Sequence, residues 1–297
     1  MIIVKKAHKK IRPIIKWVGG KTGLLDVLLA IVQNIQFDTY IEPFLGGGAL
    51  AFALSPEKAV LADKNAELMN LYGVVRDSLP ELEILLKKHE IKNSSAYFYK
   101  LRELDRTDTY DNLSPITKAA RFLYMNKTAY NGLYRVNKKG QCNMPYGKYV
   151  NPVIDNHEEL VAVSSYLNKD GINIYCKDYS HILDMATKND FVYLDPPYCP
   201  VSKSAAFTAY NNDGFGLEEQ KRLKACCDNL QQKGIPFLQS NADSPFIRDL
   251  YKDYTMIPVT ARRSINSCGD KRTGAKEVLI ISEKSKNSVF KLGLLSK

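Results

Sequence analysis

Cysteine and histidine are sparse in this chain. Its six cysteines contain no pair spaced C-x-x-C, and only four histidines stand elsewhere in the 297 residues. Zinc sites and disulfide-stabilised secreted domains need closer groupings of these residue types. The sequence therefore predicts neither a metal site nor a disulfide framework, and it favours a reducing cytoplasmic compartment.

Long apolar runs are also lacking. No segment approaches the ~20 apolar residues that a membrane-spanning helix needs. The basic segment Met1–Lys10 leads into no apolar stretch of signal-peptide length. We therefore expect no association with a membrane.

Acidic residues are outnumbered by basic ones. The chain has 32 Asp and Glu against 42 Lys and Arg, which gives a formal net charge of +10. This surplus favours a polyanionic partner such as nucleic acid, because each phosphate that is neutralised releases counterions. A solvated lysine-rich face is the alternative source of the same composition.

Helix and strand patterns alternate along the chain, which predicts an α/β fold. Strands are expected at 37–41, 59–62, 172–176, 191–194, 235–239 and 278–282. Between them lies a mostly helical, tyrosine-rich stretch that ends in a predicted hairpin with its turn at 137–140. We therefore predict a catalytic domain formed by residues 1–63 and 160–297, interrupted by an inserted lobe of residues 64–159.

The residues Asp195-Pro196-Pro197-Tyr198 follow the apolar run Phe191–Leu194. Open α/β sheets place active-site residues at this position, directly after a buried strand. The pattern suits methyl transfer to an amine on a planar ring. The Asp195 carboxylate and the Pro196 carbonyl can accept the two amine hydrogens, and Tyr198 offers a ring for a flipped base. A plain strand-ending turn is the alternative, since Asp and Pro are common in turns.

A glycine-rich segment, Glu42–Ala49, follows another predicted strand, and Asp63 stands at the end of the next one. Such glycines let a ligand approach the backbone closely, and a carboxylate at the following strand end can accept from ribose hydroxyls. Gly46, Gly48 and Ala51 also satisfy the dinucleotide pattern G-x-G-x-x-A, so an NAD-dependent oxidoreductase is an alternative. When it occurs together with the Asp-Pro-Pro-Tyr motif, the segment favours S-adenosylmethionine over NAD as the cofactor.

Two further segments carry candidate binding residues. Lys16–Thr22 contains the only tryptophan, Trp17, and resembles half of a phosphate-binding loop, but Ile15 stands where that loop requires glycine. A nucleoside triphosphatase is therefore excluded. Tyr130–Tyr149 interleaves Arg, Asn and aromatic residues, which read base edges and contact phosphates, although a solvated hairpin is equally compatible with this pattern.

Together, in this chain order and from about Pro13 to Ser282, the four segments resemble the Dam-type (D12 class, GATC-specific) DNA adenine-N6 methyltransferases. The resemblance implies a Rossmann-like, S-adenosylmethionine-dependent methyltransferase sheet with an inserted target-recognition lobe, built of a helical bundle and a β-hairpin. It also implies transfer of the methyl group from S-adenosylmethionine to N6 of adenine in double-stranded DNA, at GATC and by base flipping.

The resemblance also implies roles for individual residues. The catalytic pocket would comprise Asp195, Pro196, Pro197 and Tyr198. The cofactor-binding positions would be Trp17, Lys21, Glu42, Phe44, Gly46, Gly48, Asp63, Asp178 and Asp195. The DNA-binding positions would be Lys16, Tyr130, Asn131, Leu133, Arg135, Pro145, Lys148, Arg263, Asn266 and Arg272. Among them, Arg135 is the best candidate for contact with a guanine, and Tyr130 matches a position that helps fill the space left by the flipped adenine.

One residue departs from the family pattern. Lys148 stands where many members carry arginine, and lysine cannot form the bidentate fork that reads a base, although it can still contact a phosphate. A methyltransferase acting on RNA or on another amine, and a non-catalytic DNA-binding protein, stay open as alternatives. The expected species is a monomer associated with the nucleoid, with a restriction endonuclease for the same site as a candidate partner.

Overall fold

The computed structural model describes residues 10–132, 134–198, 215–261, 275–290 and 292–293. The chain divides into two compact units. The first contains Met1–Gly20, Gly46–Glu57 and Asn65–Ile174, and the second contains Lys21–Leu45, Lys58–Lys64 and Tyr175–Lys297. The boundaries predicted at residues 64 and 159 differ from this division and stay a prediction.

Seven described strands form one sheet, and all of their residues belong to the second unit except Ile172–Ile174. In chain order these are β1 (Tyr40–Glu42), β2 (Ala59–Asp63), β3 (Ile172–Cys176), β4 (Phe191–Leu194), β5 (Phe237–Ala242), β6 (Thr255–Ala261) and β7 (Ala275–Ile281). Their spatial order is β3-β2-β1-β4-β5-β7-β6. Strand β1 runs parallel to β2 and β4, and β4 runs parallel to β5, whereas β7 is antiparallel to β5 and β6. This mixed sheet confirms the predicted α/β class and is consistent with a methyltransferase fold.

The central strands are apolar because they are covered by side chains from helices of the same unit. All four residues of β4 are buried, as expected of a parallel strand in the interior of an α/β sheet. The helices described here are α1 (Leu25–Val32), α8 (Tyr179–Asp184), α9 (Leu217–Gln232), α10 (Pro245–Leu250) and α11 (Lys286–Phe290). Helix α9 contributes Leu223, Cys227 and Leu230 to the core. Their spacing of four and three residues puts them on one stripe of the helix.

Strand β6 was not predicted from the sequence. It contains Pro258, which lacks the N–H that a central strand would donate. In the structure β6 lies at the end of the strand order and pairs only with β7. An edge position tolerates proline because one side of the strand needs no hydrogen bonds to a neighbouring strand. The presence of Pro258 is therefore compatible with a strand here.

The first unit contributes the helices α2 (Ala49–Leu54), α3 (Ala66–Asp77), α4 (Leu79–Lys92), α5 (Ser95–Glu103), α6 (Pro115–Thr128) and α7 (His157–Leu167). Pro80 and Pro115 lie in the first turns of α4 and α6, where the N–H that proline lacks would have no partner within the helix. Helix α6 is buried along most of its length and packs against α3, α4 and α5, while α7 packs against α3 and α4. The packing of α7 explains why residues after 159 group with the first unit.

The segment predicted to form a hairpin has its turn where the sequence placed it. The N–H of Gly140 donates to the carbonyl of Asn137 at 2.9 Å. Among the described residues, Val136 pairs with Cys142 and Ala129 pairs with Tyr146, both antiparallel. Near the second pair the chain forms a short 3-10 turn, in which Asn131 and Gly132 both have a positive φ. None of the helices within the described ranges combines the length and the apolar character that crossing a membrane would require.

Truncation of Phe237, which is fully buried on β5, is expected to destabilise the second unit. Phe237→Ala should lower the free energy of unfolding by about 3–5 kcal/mol, because it removes buried apolar surface and leaves a cavity. Denaturant unfolding followed by circular dichroism measures the change. The matched variant Phe290→Ala, at a ring that is 36% exposed, should cost far less. Equal losses for the two variants would contradict this account of the core.

Candidate active site

The carboxylate of Asp195 directly follows β4 and is paired with the ammonium group of Lys21. Their Nζ–Oδ1 distance is 2.7 Å, and the Lys21 side chain is only 4% exposed. Lys21 begins the 3-10 helix Lys21–Gly23 that precedes α1. Desolvation raises the pKa of Asp195 to about 6, the Lys21 cation opposes that rise, and the Glu277 carboxylate adds to it. Asp195 is therefore a half-buried carboxyl group whose pKa lies well above its usual range.

Tyr198 is held at both its hydroxyl group and its ring. Its hydroxyl donates to Oε2 of Glu277 at 2.5 Å, and its ring centroid lies 4.6 Å from Nζ of Lys21. The same Nζ lies 4.0 Å from Glu277 Oε2. Burial, followed by the nearby carboxylates of Asp195 and Glu277, raises the pKa of Tyr198. The tyrosine hydroxyl therefore stays neutral and acts as a hydrogen-bond donor.

Two buried amides hold the backbone between Asp195 and Tyr198. The carbonyl of Pro197 accepts a hydrogen bond from Nε2 of Gln220 at 2.9 Å. Oε1 of Gln220, on α9, accepts in turn from Nδ2 of Asn241, on β5, at 3.0 Å. Because the two prolines fix φ and carry no N–H, their carbonyls are the backbone groups that can be held in this way. The sequence analysis did not predict a role for Gln220 or Asn241, because each is a single polar residue that belongs to no motif.

Acidic side chains stand where successive strands of the second unit end. Glu42 and Asp63 are the last residues of β1 and β2, and Asp178 follows β3 after one intervening residue. Because β2, β1 and β4 are parallel neighbours, Glu42 and Asp63 emerge at the same edge of the sheet as Asp195. Glu42 is buried and accepts from the Tyr40 hydroxyl at 2.7 Å. The sheet thus gathers four of the predicted cofactor-binding residues.

Asp178 is kept ionised by its neighbours. Its carboxylate caps α8 by accepting from the N–H and the hydroxyl of Ser180, and it is 2.8 Å from the Arg222 guanidinium. Burial alone would raise the pKa of Asp178, but these hydrogen bonds outweigh burial and lower it. Close by in the same unit, the ring of Phe44 stacks on Tyr179 with centroids 5.0 Å apart. An ionised acceptor near a half-buried aromatic ring is suited to the amine and ring of a purine.

In the first unit, Trp17 lies against the glycine segment. A Cβ on Gly46 would meet Cδ1 of Trp17 at 2.6 Å, and Gly46 has a φ of +48°. Glycine is therefore required there both for the backbone conformation and for the close approach. The other face of the indole is engaged with Tyr134, whose ring is stacked at 5.2 Å. Gly48, with a φ of +66°, precedes α2.

Asn126 links Lys16 to the turn Tyr130–Gly132, two parts of the predicted DNA-binding surface. The sequence analysis did not identify this residue. Its side chain accepts from the N–H of Lys16 at 3.0 Å and donates to the carbonyls of Lys16 and Gly132 at 2.8 and 3.0 Å. It is only 1% exposed and belongs to the buried helix α6. The available signal was a polar residue inside an otherwise apolar helical face. Asn126 brings Lys16 to the turn Tyr130–Gly132.

The predicted base-reading residues of the first unit occupy this turn and the segment that follows. The guanidinium of Arg135 is exposed and donates to the side chain and the carbonyl of Asn143. The N–H of Asn131 donates to the hydroxyl of Tyr149, whose ring lies 5.9 Å from Nζ of Lys16. The carbonyl of Pro145 accepts from the N–H of Tyr130, and exposed Lys148 has a φ of +53°. Predicted residues Leu133, Arg263, Asn266 and Arg272 lie outside the described residues.

No group of three or more His, Cys, Asp or Glu side chains in the described ranges is arranged to hold a metal ion. What the second unit does present is a set of acidic side chains at the ends of neighbouring parallel strands. That arrangement is typical of α/β enzymes that bind a cofactor containing a nucleoside. The class of protein that this arrangement indicates is therefore an α/β enzyme, with a candidate active site at the carboxyl edge of the sheet.

Comparison with known proteins identifies the family within that class. Residues 17–265 match the D12 class N6 adenine-specific DNA methyltransferases, and the chain belongs to this family. It is 40% identical over 280 residues to a type II methyltransferase of Lactococcus lactis subsp. cremoris, with 94% of this chain and 98% of the relative covered. It is 33% identical over 275 residues to the DNA adenine methylase of Escherichia coli, with 92% and 96% covered. The protein is thus a DNA adenine-N6 methyltransferase, which confirms the predicted enzyme class.

Removal of the Lys21 charge should raise the pKa of Asp195. In Lys21→Met the carboxylate loses both the attraction of the cation and its hydrogen bond, each of which lowers that pKa. We expect the Asp195 carboxyl carbon, followed by NMR, to titrate at a pH above about 6. The control variant Lys224→Met, which breaks the ion pair with Asp228, should leave this titration unchanged. An unaltered Asp195 midpoint in Lys21→Met would contradict the assigned pairing.

Proposed function

We propose that this methyltransferase uses S-adenosylmethionine as its methyl donor and modifies the adenine of GATC in duplex DNA, after that base is flipped out of the helix. The observation that carries the proposal is the Asp195–Tyr198 loop, held at Pro197 by Gln220 and at Tyr198 by Glu277. The loop lies at the edge of the sheet where the other acidic strand ends emerge. The alternative of an NAD-dependent oxidoreductase is set aside because the family transfers methyl groups.

The second unit offers groups that suit an adenosine-containing cation. Carboxylates at Glu42 and Asp63 can accept from hydroxyls and an amine, and ionised Asp178 can accept from an adenine amine beside Phe44. S-adenosylmethionine supplies an electrophilic methyl group on a sulfonium when it is bound. We also assign Lys21 and Asp195 to cofactor contact, and in the first unit Trp17, Gly46 and Gly48.

The acceptors needed by the target amine are present in the Asp195–Tyr198 loop. The lone pair of an exocyclic adenine amine is delocalised into the ring, so the nitrogen is a poor nucleophile. The Asp195 carboxylate and the Pro196 carbonyl accept its two hydrogens and direct the lone pair toward the methyl group, and Tyr198 stacks on the ring. A proton leaves after the nitrogen has become positively charged, so a strong base is not needed beforehand.

The DNA-binding part of the proposal rests on the first unit and on charge. The net charge of +10 attracts the phosphate backbone. Lys16 and the segment from Tyr130 to Lys148 carry the residues that resemble the family's base-reading positions, and Asn126 holds the two parts together. Flipping a base costs a few kcal/mol, so contacts with the site must offset that cost. The choice of GATC rests on the resemblance in this segment.

The setting of the activity is also a proposal. Since DNA is the substrate, we place the enzyme at the nucleoid of the cytoplasm, acting on one strand at a time as a monomer. One of its relatives is a type II methyltransferase. A restriction endonuclease directed to the same site is therefore part of the proposal.

Transfer of labelled methyl from S-adenosylmethionine to matched duplexes tests the proposed function directly. One duplex contains GATC, a second has the same composition with the site scrambled, and a third carries N6-methyladenine at both target positions. We expect incorporation only into the first, at N6 of adenine. Incorporation into both unmethylated duplexes would overturn the GATC assignment but would still support S-adenosylmethionine as the methyl donor. A lack of incorporation into any DNA would contradict the choice of donor.

Loss of the Arg135 side chain should reduce sequence discrimination. Arg135→Ala is expected to cost about 1–3 kcal/mol of discrimination at one base pair, because a bidentate contact with guanine would be removed. The ratio of kcat/KM for GATC and for each singly substituted site measures this cost. Arg248→Ala, at an exposed arginine paired with Asp243 in the second unit, serves as the matched control. Equal losses on every sequence would make Arg135 a phosphate contact.

A further inference from the structure

We propose that Glu277 is a positioning residue of the methyl-transfer site, which orients the ring of Tyr198 and shares the Lys21 ammonium group with Asp195. The inference deepens the proposed function and rests on the role given there to the Asp195–Tyr198 loop. Glu277 belongs to none of the motifs from which the site was predicted. It comes from β7, far along the chain from the other members of the group.

The environment of Glu277 argues against a purely structural role. The residue is 6% exposed, and the following residues of β7, Val278, Leu279 and Ile280, are fully buried and apolar. A carboxylate loses its hydration when it is buried, and an ion pair in such a place often contributes less to stability than an apolar side chain of similar size. Packing of β7 alone would therefore favour another residue at this position.

The hydrogen bond from Tyr198 sets the orientation of the ring. The loop backbone is fixed at Pro197 by Gln220, but a tyrosine ring can still rotate about its own side-chain bonds. The contact between the Tyr198 hydroxyl and Glu277 Oε2, at 2.5 Å, fixes the far end of the ring. The Lys21 ammonium, 4.6 Å from the ring centroid, contacts it from another side. The stacking surface is thus arranged before a base arrives, which lowers the entropic cost of reaching the reactive geometry.

Glu277 also affects the charge of the site. One cation, Lys21, lies 2.7 Å from an oxygen of Asp195 and 4.0 Å from an oxygen of Glu277. Besides these, the titratable groups in the described residues that face Asp195 are Tyr193 and Tyr198, both with a raised pKa and therefore neutral. The negative charge of Glu277 raises the pKa of Asp195. It consequently helps set the pH below which Asp195 is protonated and becomes a weaker acceptor for the target amine.

The decisive experiment compares pH profiles of kcat/KM, which report the groups of the free enzyme, for the wild type and for Glu277→Gln. The glutamine keeps an oxygen that can accept from Tyr198 and removes the charge. Because that charge raises the pKa of Asp195, we expect the acidic midpoint of the profile to move to a lower pH than that of the wild type, which should lie near 6. The control Glu218→Gln removes one charge from an exposed position on α9 and should leave the midpoint in place.

A second set of variants tests the orientation of the ring. Glu277→Ala removes the acceptor and should lower kcat by about ten- to a hundredfold, the range expected for a hydrogen bond to a charged group, with little change in KM for DNA. Tyr198→Phe removes the other half of the contact. Combining the two substitutions should cost much less than the product of their separate effects, because they break the same interaction.

The outcomes separate the inference from the proposed function. If the wild type methylates DNA but Glu277→Gln leaves the pH profile unchanged, or if the losses from Glu277→Ala and Tyr198→Phe simply multiply, the positioning role is overturned and the proposed function stands. If the wild type transfers no methyl group from S-adenosylmethionine to any DNA, both are overturned. Should Glu277→Ala fail to fold, the near-isosteric Glu277→Gln and its pH profile still decide the question.

Discussion

The ion pair between Lys21 and Asp195 is the interaction on which the candidate active site depends. Burying a carboxylate costs several kcal/mol unless a counter-charge and hydrogen bonds accompany it. Here two carboxylates, half-buried Asp195 and buried Glu277, lie within reach of one ammonium group. Without Lys21 they would repel each other. The cation allows both to coexist and opposes the rise in the pKa of Asp195, which desolvation nevertheless brings to about 6.

The sheet converts residues far apart in the sequence into one acidic edge. Parallel pairing of β1 with β2 and with β4 requires all three strands to end on the same side. Whatever side chains follow those ends are therefore brought together, which is why methyltransferase motifs can be separated by long stretches of chain. Antiparallel β7 then adds Glu277 from the opposite chain direction. The hydrogen bonds of Gln220 and Asn241 complete the group by holding the loop from the side of α9 and β5.

Prediction from the sequence worked best where the signal was local. Strands β3 and β4 coincide with the predicted ranges because each is a short apolar run with clear ends. The turn of the predicted hairpin is also found at residues 137–140, whereas the positive φ values of Asn131 and Gly132 were not predicted, because a pattern of alternating residues does not reveal them. Strand β6 was missed because Pro258 is excluded from central strands but allowed at an edge. The cofactor, DNA and catalytic roles of individual residues stay predictions.

The sequence by itself determined the family, the α/β class and the motif residues. Each of these can be recognised from short runs of consecutive residues. The glycine-rich segment around Gly46 and the Asp-Pro-Pro-Tyr motif can be recognised from their own residue types and from the strands that precede them. Only the tertiary structure decided that Glu277 meets Tyr198, and that Asn126 holds Lys16 to Gly132. Such partners are lone polar residues in apolar surroundings. Their pairing depends on strand order and helix packing, which cannot be read from the spacing of residues along the chain.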